Sequence, residues 1–337
     1  MSRPLQAAFC TAPGSIAVRD VPAPSATAET TIVRVHACGI CGTDLHYYGG
    51  MAPPPKVCLG HEIVGRVAAP GGGFAPGDGV VIEPLLSCGA CARCRGGEPN
   101  LCPEIRVLGS MAPGGFAEMV EVPARLLYRV PPGLDLDLAM LAEPLAVGVH
   151  AAHLADIGVG DEVLVLGAGA IGLLAAYAAL VRGARVTVSA RHPHQAAAAR
   201  ALGAGVVGAA STEILARQAS TPPDTVLESV GGDADTLDLA LDIVRAGGLI
   251  VALGLFTRPV TLAPLRFLMK EVRIVSSMTY CRRLARPDFE TALAMLARDA
   301  ARLRQLITHR VPLAEAARAF ALAADKSSGA IKVAVVP

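Results

Sequence analysis

The sequence predicts an α/β protein: a β-rich first domain followed by a doubly wound, parallel-sheet domain. Three observations carry that expectation. Up to about residue 150 the chain reads as short β-rich runs separated by turn chemistry. From Asp161 onward, strand-like apolar runs alternate with helical ones. The first of those strand-to-helix turns is rich in glycine. Alternation of this kind gives βαβ units and a parallel sheet covered on both faces.

In the first part, residues 31–36 (Thr-Ile-Val-Arg-Val-His) and 63–68 (Ile-Val-Gly-Arg-Val-Ala) are β-rich, and Gly71-Gly-Gly and Pro76-Gly-Asp-Gly79 are turn chemistry. Near Glu143-Pro-Leu-Ala-Val-Gly-Val-His150 the pattern becomes helical. Strands are then expected at 163–166 and 185–188, each followed by a helix, and at 225–227, 249–253 and 272–275. After about Tyr280 come two helical segments and a terminal strand at 331–336, too little for a domain and expected to return to the first. The expected division is 1–147, 148–280 and 281–337.

The 337 residues suit two domains, and 53% hydrophobic with 18% charged residues describes a soluble globular chain with ample core. A formal net charge of +1 gives no basic excess for nucleic acid or an anionic membrane. Residues 1–12 lack a basic region followed by a long apolar run, and Gly, Pro or charge interrupts every apolar stretch before spanning length. Nine cysteines without a secretory signal point to a reducing compartment, so a cytoplasmic location is expected. There is no internal repeat and no low-complexity tail.

Four of the cysteines lie in Cys88-Gly-Ala-Cys91-Ala-Arg-Cys94-Arg-Gly-Gly-Glu-Pro-Asn-Leu-Cys102, within a lobe at about 85–105. Two-residue gaps let successive thiolates turn inward around one tetrahedral ion, and four sulfur ligands with no open position describe a structural zinc. An iron–sulfur cluster also uses four cysteines, so the ion is inferred. Such a site holds a loop and does no chemistry.

Gly167-Ala-Gly169-Ala170-Ile171-Gly172 follows an apolar strand and opens a helix. That context turns a weak GxGxxG match into a dinucleotide-binding candidate, with free N–H groups at the helix start for the pyrophosphate. The next strand ends Val188-Ser189-Ala190-Arg191-His192. Ala190 occupies the place where an NAD site carries an acid for the ribose 2′-hydroxyl, and Arg191 follows. A small residue plus arginine accommodates a 2′-phosphate, which favours NADP, with NAD the alternative. Ser189 and His192 can assist.

Upstream lie Cys38-Gly-Ile-Cys41-Gly-Thr43-Asp44-Leu-His46 and Gly60-His61-Glu62, and later Glu143-Pro144. Thiolate, imidazole and carboxylate from separate segments can make a zinc site with one position left for water or substrate. With the four-cysteine lobe and the glycine motif in this order, the whole chain resembles the zinc-dependent medium-chain dehydrogenases/reductases, the family of alcohol and polyol dehydrogenases. The resemblance implies a GroES-like β-rich catalytic domain plus a Rossmann domain. It implies that Cys41 and His61 are catalytic-zinc ligands, with Glu62 and Glu143 the acidic members, bound directly or through water, or alternating during turnover. It implies one catalytic and one structural zinc per chain. Glu143, where many alcohol dehydrogenases have cysteine, resembles the sorbitol, butanediol and threonine dehydrogenase branch. Asp44 is expected to orient His61.

The resemblance further implies reversible hydride transfer between an alcohol and a nicotinamide ring, with zinc as Lewis acid. Thr43 would take the alcohol proton, and His46 matches the family's relay histidine. The substrate-side candidates are Tyr47, Phe116 and Thr279. Thr279 stands where the polyol enzymes carry an arginine, which weakens a sorbitol assignment and leaves secondary alcohols, diols, polyols, amino alcohols and cyclitols open. The competing classes are a non-catalytic nucleotide-binding protein and a zinc-free quinone or enone reductase on the same fold. The expected partner is a small-molecule substrate, with the chain a homodimer or homotetramer and the strand at 272–275 a candidate interface edge.

Overall fold

The computed structural model describes residues 4–218, 220–282 and 286–337. The first three residues of the 1–12 segment lie outside them. The chain forms two compact units, one of Met1–Glu143 with Cys281–Pro337 and one of Pro144–Tyr280. The division falls after Glu143, inside the first turn of helix Ala142–Leu154, rather than after 147.

The first unit is β-rich. Its main sheet runs in the order Ile307–Pro312, Lys332–Val336, Thr30–Gly39, Glu62–Val67, Gly79–Ile82, Leu127–Arg129, with Met119–Pro123 also pairing on Thr30–Gly39. Every pairing but the first is antiparallel. Alternation along Thr30–Gly39 sends Thr31, Val33, Val35 and Ala37 inward, and the last three residues are buried without a break. That buried end borders the two strands that matter for the site: Gly39 pairs with Glu62 on one side and with Ala334 on the other. The strand Ile307–Pro312 was not legible in the sequence. Its burial alternates, but a histidine, an arginine and a terminal proline dilute the apolar signal. The unit's core gathers Val33, Ile63, Val80, Ile82, Phe116, Phe320 and Val335.

The second unit is the doubly wound α/β fold that the sequence predicts. Six parallel strands lie in the order Gly205–Gly208, Arg185–Ala190, Glu162–Leu166, Thr225–Glu228, Leu249–Ala252, Arg273–Ser276. In chain order this is 3-2-1-4-5-6, the dinucleotide-binding arrangement, whose direction of growth reverses between Glu162–Leu166 and Thr225–Glu228. The first strand has four consecutive buried residues and so lies inside the sheet, covered on both faces. The helix after it, Ala170–Val181, is buried along most of its length because small alanines let it sit close to the strands. Gly205–Gly208 is half-exposed and bounded by glycines, which is why its strand signal was weak. Among the described residues no helix is long and apolar enough to cross a membrane.

Candidate metal and nucleotide sites

The β-rich unit brings Cys41, His61 and Glu62 together. Strand Thr30–Gly39 ends two residues before Cys41, which is the N-cap of the short helix Gly42–Tyr48. His61 and Glu62 lie where the neighbouring strand Glu62–Val67 begins. Donor atoms of the three side chains all lie within 4.8 Å of one another. His61 is 8% exposed and Glu62 is fully buried. Glu143, in the first turn of Ala142–Leu154 and 6% exposed, adds its charge to the same place.

Asp44 is 1% exposed, and its two oxygens take backbone N–H groups from both ligand segments: Cys41 at 2.9 Å and Gly60 at 3.3 Å. Its carboxylate therefore ties the segments together through their backbones, and its effect on His61 is electrostatic. A third segment braces the same turn. Gly114, Gly115 and Phe116 donate backbone N–H groups to the carbonyls of Cys58, Gly60 and Leu59 at 3.0, 2.8 and 3.0 Å.

The electrostatics describe a cation's place. Burial alone would push the His61 imidazole down, but the Cys41 thiolate, Asp44 and Glu143 outweigh it and hold the ring well above its ordinary value. The field that keeps a proton on His61 would equally hold a metal cation. One Glu62 oxygen, Oε2, is buried without a hydrogen-bond partner, while Oε1 takes Lys332 Nζ at 2.5 Å. Sulfur, nitrogen and carboxylate oxygen from two segments is a zinc donor set that leaves room for a further ligand, so these residues fit the ion.

Thr43 and His46 follow on the same short helix. Thr43 is exposed, with Oγ1 4.0 Å from Cys41 Sγ. His46 is half-buried, its Nδ1 is shielded from solvent without a partner, and burial pushes its pKa below the ordinary imidazole value. Tyr47 packs against the hydrophobic core. Phe116, a substrate-side candidate from the sequence, is placed in the core of the β-rich unit. It is fully buried and meets Phe320 edge-on, centroids 5.5 Å apart at 77°. The segment is pinned to 58–60 by backbone hydrogen bonds, and its ring faces inward.

The four cysteines at 88, 91, 94 and 102 form a second cluster, again with sulfurs within 4.8 Å of one another. Backbone N–H groups point at the sulfurs: Cys91 to Cys88, Cys94 to Cys91 and Cys88 to Cys102, at 3.3, 3.4 and 3.4 Å. N–H groups of Ala90 and Cys91 lead in pulling the Cys88 thiol down to about 7, while desolvation pushes Cys94 up to about 11. The separation of Cys88 and Cys94 sulfurs is 3.9 Å. Metal–sulfur bonds of about 2.3 Å give a tetrahedral edge of roughly 3.8 Å, so the cluster fits a closed four-sulfur ion site. Its base is anchored where Arg282 donates from its backbone to Gly97 O at 2.7 Å and from its side chain to buried Glu83 at 2.6 Å. Tyr128 donates to the same carboxylate at 2.7 Å.

In the other unit the glycine motif links Glu162–Leu166 to Ala170–Val181, with Gly169 as N-cap and Ala170 and Ile171 as the first helical residues. Gly167 has φ +98°, and a Cβ on Gly172 would lie 2.0 Å from Gly167 O. Nothing lies within 4 Å of where a Cβ on Gly169 would be, which leaves an open approach to the backbone. Ser189 Oγ accepts the Gly167 N–H at 3.1 Å, and Ser229 Oγ donates to Leu166 O at 2.8 Å. The two serines brace the loop from the strands on either side. Ser189 is thus committed to the loop. Ala190 is buried at the end of its strand and Arg191 is exposed just beyond it. Thr279 lies past the last strand with φ +54°, rare for a β-branched residue, and its hydroxyl is buried without a partner.

Ser229, Lys332 and the Glu83–Arg282 pair were not found from the sequence. The partners of Lys332 and Arg282 are 270 and 199 residues away, so no local spacing announces them. Ser229 carries a weak signal, a hydroxyl just past the strand beside the switch point.

Both domains of the chain have counterparts among known proteins. Residues 27–132 match the alcohol dehydrogenase GroES-like domain and 170–298 the zinc-binding dehydrogenase domain. The chain is 32% identical to the sorbitol dehydrogenase of Halalkalibacterium halodurans, covering 96% of each chain. It is 31% identical to the L-galactonate-5-dehydrogenase of Escherichia coli, over 90% of this chain and 89% of that one. Among solved structures, a zinc-binding dehydrogenase from Sinorhizobium meliloti bound to NADP superposes with a TM-score of 0.89 at 32% identity, covering all of both chains.

Two substitutions check these placements. Phe116→Ala should cost about 3–5 kcal/mol of stability in urea titration, whereas Phe116→Leu should leave KM for any alcohol substrate unchanged. Ser189→Ala removes the acceptor for a loop N–H, and dinucleotide affinity measured by calorimetry should fall about tenfold, the equivalent of roughly 1.4 kcal/mol.

Proposed function

The chain belongs to the zinc-dependent medium-chain alcohol and polyol dehydrogenases, and from that membership we propose that it oxidises a polyol reversibly, with NADP as the favoured hydride acceptor. The observation that carries the reading is the convergence of Cys41, His61 and Glu62 within 4.8 Å, beside the charge of Glu143. A zinc ion held by these residues supplies Lewis acidity toward an alcohol or carbonyl oxygen. A zinc-free reductase has no use for this buried donor set. A second ion in the four-cysteine lobe would hold that loop in shape.

The chain's own residues do the rest. Asp44 holds the Cys41 and Gly60 backbones, and so keeps the thiolate and imidazole in a fixed relation. The Thr43 hydroxyl, beside Cys41, is the first acceptor for the proton that the alcohol loses. His46, its proton affinity lowered by burial and its Nδ1 uncommitted, is the next.

The cofactor preference rests on Ala190 and Arg191. No carboxylate ends the strand Arg185–Ala190 to repel a 2′-phosphate, and Arg191 is exposed and available to pair with one. The Sinorhizobium meliloti relative holds NADP. The relatives named for sorbitol and L-galactonate support a polyol or sugar-acid substrate. Of the substrate-side candidates, Tyr47 is half-buried within the β-rich unit, and Thr279, within the parallel-sheet unit, has an uncommitted hydroxyl.

The unpaired side of strand Arg273–Ser276 and the adjoining helix Pro264–Lys270 support a homo-oligomer. Leu265, Leu268 and Met269 on that helix are 70%, 70% and 74% exposed, more apolar surface than a lone sheet edge carries comfortably in water.

Nicotinamide absorbance, followed with zinc-replete protein and a panel of polyols and sugar acids, tests the main reading. Turnover with NADP is expected, and Ala190→Asp should reverse the preference toward NAD by at least about tenfold. Turnover of the unaltered chain with NAD alone would contradict the cofactor assignment, and silence with both would contradict the polyol one. For the assembly, light scattering should give a dimer or tetramer, and Leu268→Asp with Met269→Asp should lower its order. An unaltered monomer would overturn the interface.

A further inference from the structure

Lys332 lies in the last strand of the chain, 2% exposed, yet its ammonium group makes an ion pair with fully buried Glu62. The route is set by three adjacent strands. Ala334 pairs with Gly39, and Gly39 pairs with Glu62, so the lysine two residues before Ala334 reaches across the middle strand on the same face. Gly39 makes that crossing possible, because a Cβ there would lie 2.0 Å from Glu62 Oε2 and 3.2 Å from Lys332 Cδ. Nζ donates to Glu62 Oε1 at 2.5 Å and to the carbonyl of Ile40 at 3.0 Å, next to Cys41. The other carboxylate oxygen, Oε2, is buried without a partner.

A buried cation on one oxygen of a metal-ligand carboxylate does more than hold a strand in place. It removes that oxygen from the donor set, and it sets positive charge beside a site that must take a cation. We propose that Lys332 is a positioning residue of the metal centre that competes with the ion for Glu62, holding Oε1 and leaving Oε2 as the only oxygen on offer. The carboxylate is thereby kept a weak, releasable ligand. The C-terminal strand becomes part of the site through this contact. The proposal rests on the reading of Cys41, His61 and Glu62 as a metal site.

A neutral residue of similar length separates this from simple packing. In Lys332→Met both oxygens are free and the local charge is more negative. Zinc bound at the Cys41 site should tighten by about tenfold to a hundredfold in chelator competition, the scale on which residues orienting metal ligands act. The metal-free protein should lose more thermal stability than the zinc-loaded one, because the ion replaces the missing cation. Lys332→Arg should return both quantities close to the original values. In a Glu62→Gln background, Lys332→Met should leave zinc affinity unchanged. If the methionine variant does not fold, Lys332→Gln, which keeps a donor for Ile40 without the charge, takes its place.

Unchanged or weaker zinc binding, with equal stability losses in both forms, would overturn the proposal and leave a packing role. Equal tightening in the Glu62→Gln background would overturn it too, since charge alone would then explain the effect. An unaltered chain that binds no zinc dependent on Cys41 fails the metal reading before Lys332 is touched, and takes this proposal with it.

Discussion

Buried negative charge is the constraint around which the β-rich unit is organised. Asp44, Glu62 and Glu143 are 1%, 0% and 6% exposed, and the Cys41 thiol stands among them. An uncompensated charge taken from water into a protein interior costs several kcal/mol, so each of these groups needs a partner. Asp44 finds two backbone N–H groups, and in accepting them fixes the two turns that carry Cys41 and His61. Glu62 finds Lys332, and that contact draws in the terminal strand. What remains is negative enough to lift the proton affinity of His61 against its burial. The local fold and the affinity for a cation are thus consequences of the same charge arrangement.

The parallel-sheet unit obeys a different constraint, the orientation of backbone groups. Its binding loop sits at the reversal of strand order, where helices on opposite faces diverge and leave a crevice. An open loop of glycines would lose entropy on binding, and here neighbouring strand ends hold it in advance. Ser189 and Ser229 grip it from either side. Beyond Ser229, Glu228 accepts from Val230 N, Gly231 N and Thr236 Oγ1 on a single oxygen, which fixes the turn after that strand. The loop is held in place by hydrogen bonds to the strand ends beside it.

What the sequence revealed was what lies close together along it. Cysteines two residues apart, a strand followed at once by GxGxxG, and His61 next to Glu62 announce themselves because their geometry is local. The six strands of the second unit were legible for the same reason, except Gly205–Gly208, where glycine and partial exposure blur the pattern. The burial of Phe116 was not legible, because it follows from the pairing of its segment with 58–60, which lies more than fifty residues upstream. Lys332 looked like an ordinary polar residue in a terminal strand. Its burial follows from a glycine in one strand and a glutamate in the next, a conjunction that three separate stretches of sequence do not display.

Two cysteine-bearing clusters in one unit meet the problem of thiolate charge in opposite ways, and the contrast explains their different capacities. At residues 88–102 all but Cys102 lie near the surface, and backbone N–H groups point at three of the four sulfurs at short range. Four soft donors that satisfy one another around a single centre leave nothing for a substrate to displace. At Cys41 the site is deeper and the donors are mixed, with only one sulfur. A carboxylate oxygen is the hardest donor in that set, and Lys332 holds the carboxylate by Oε1. A centre that must exchange ligands during turnover requires such a member, and a centre that only closes a loop is better without one. The proposed division of labour rests on donor type and on where each cluster places its compensating charge.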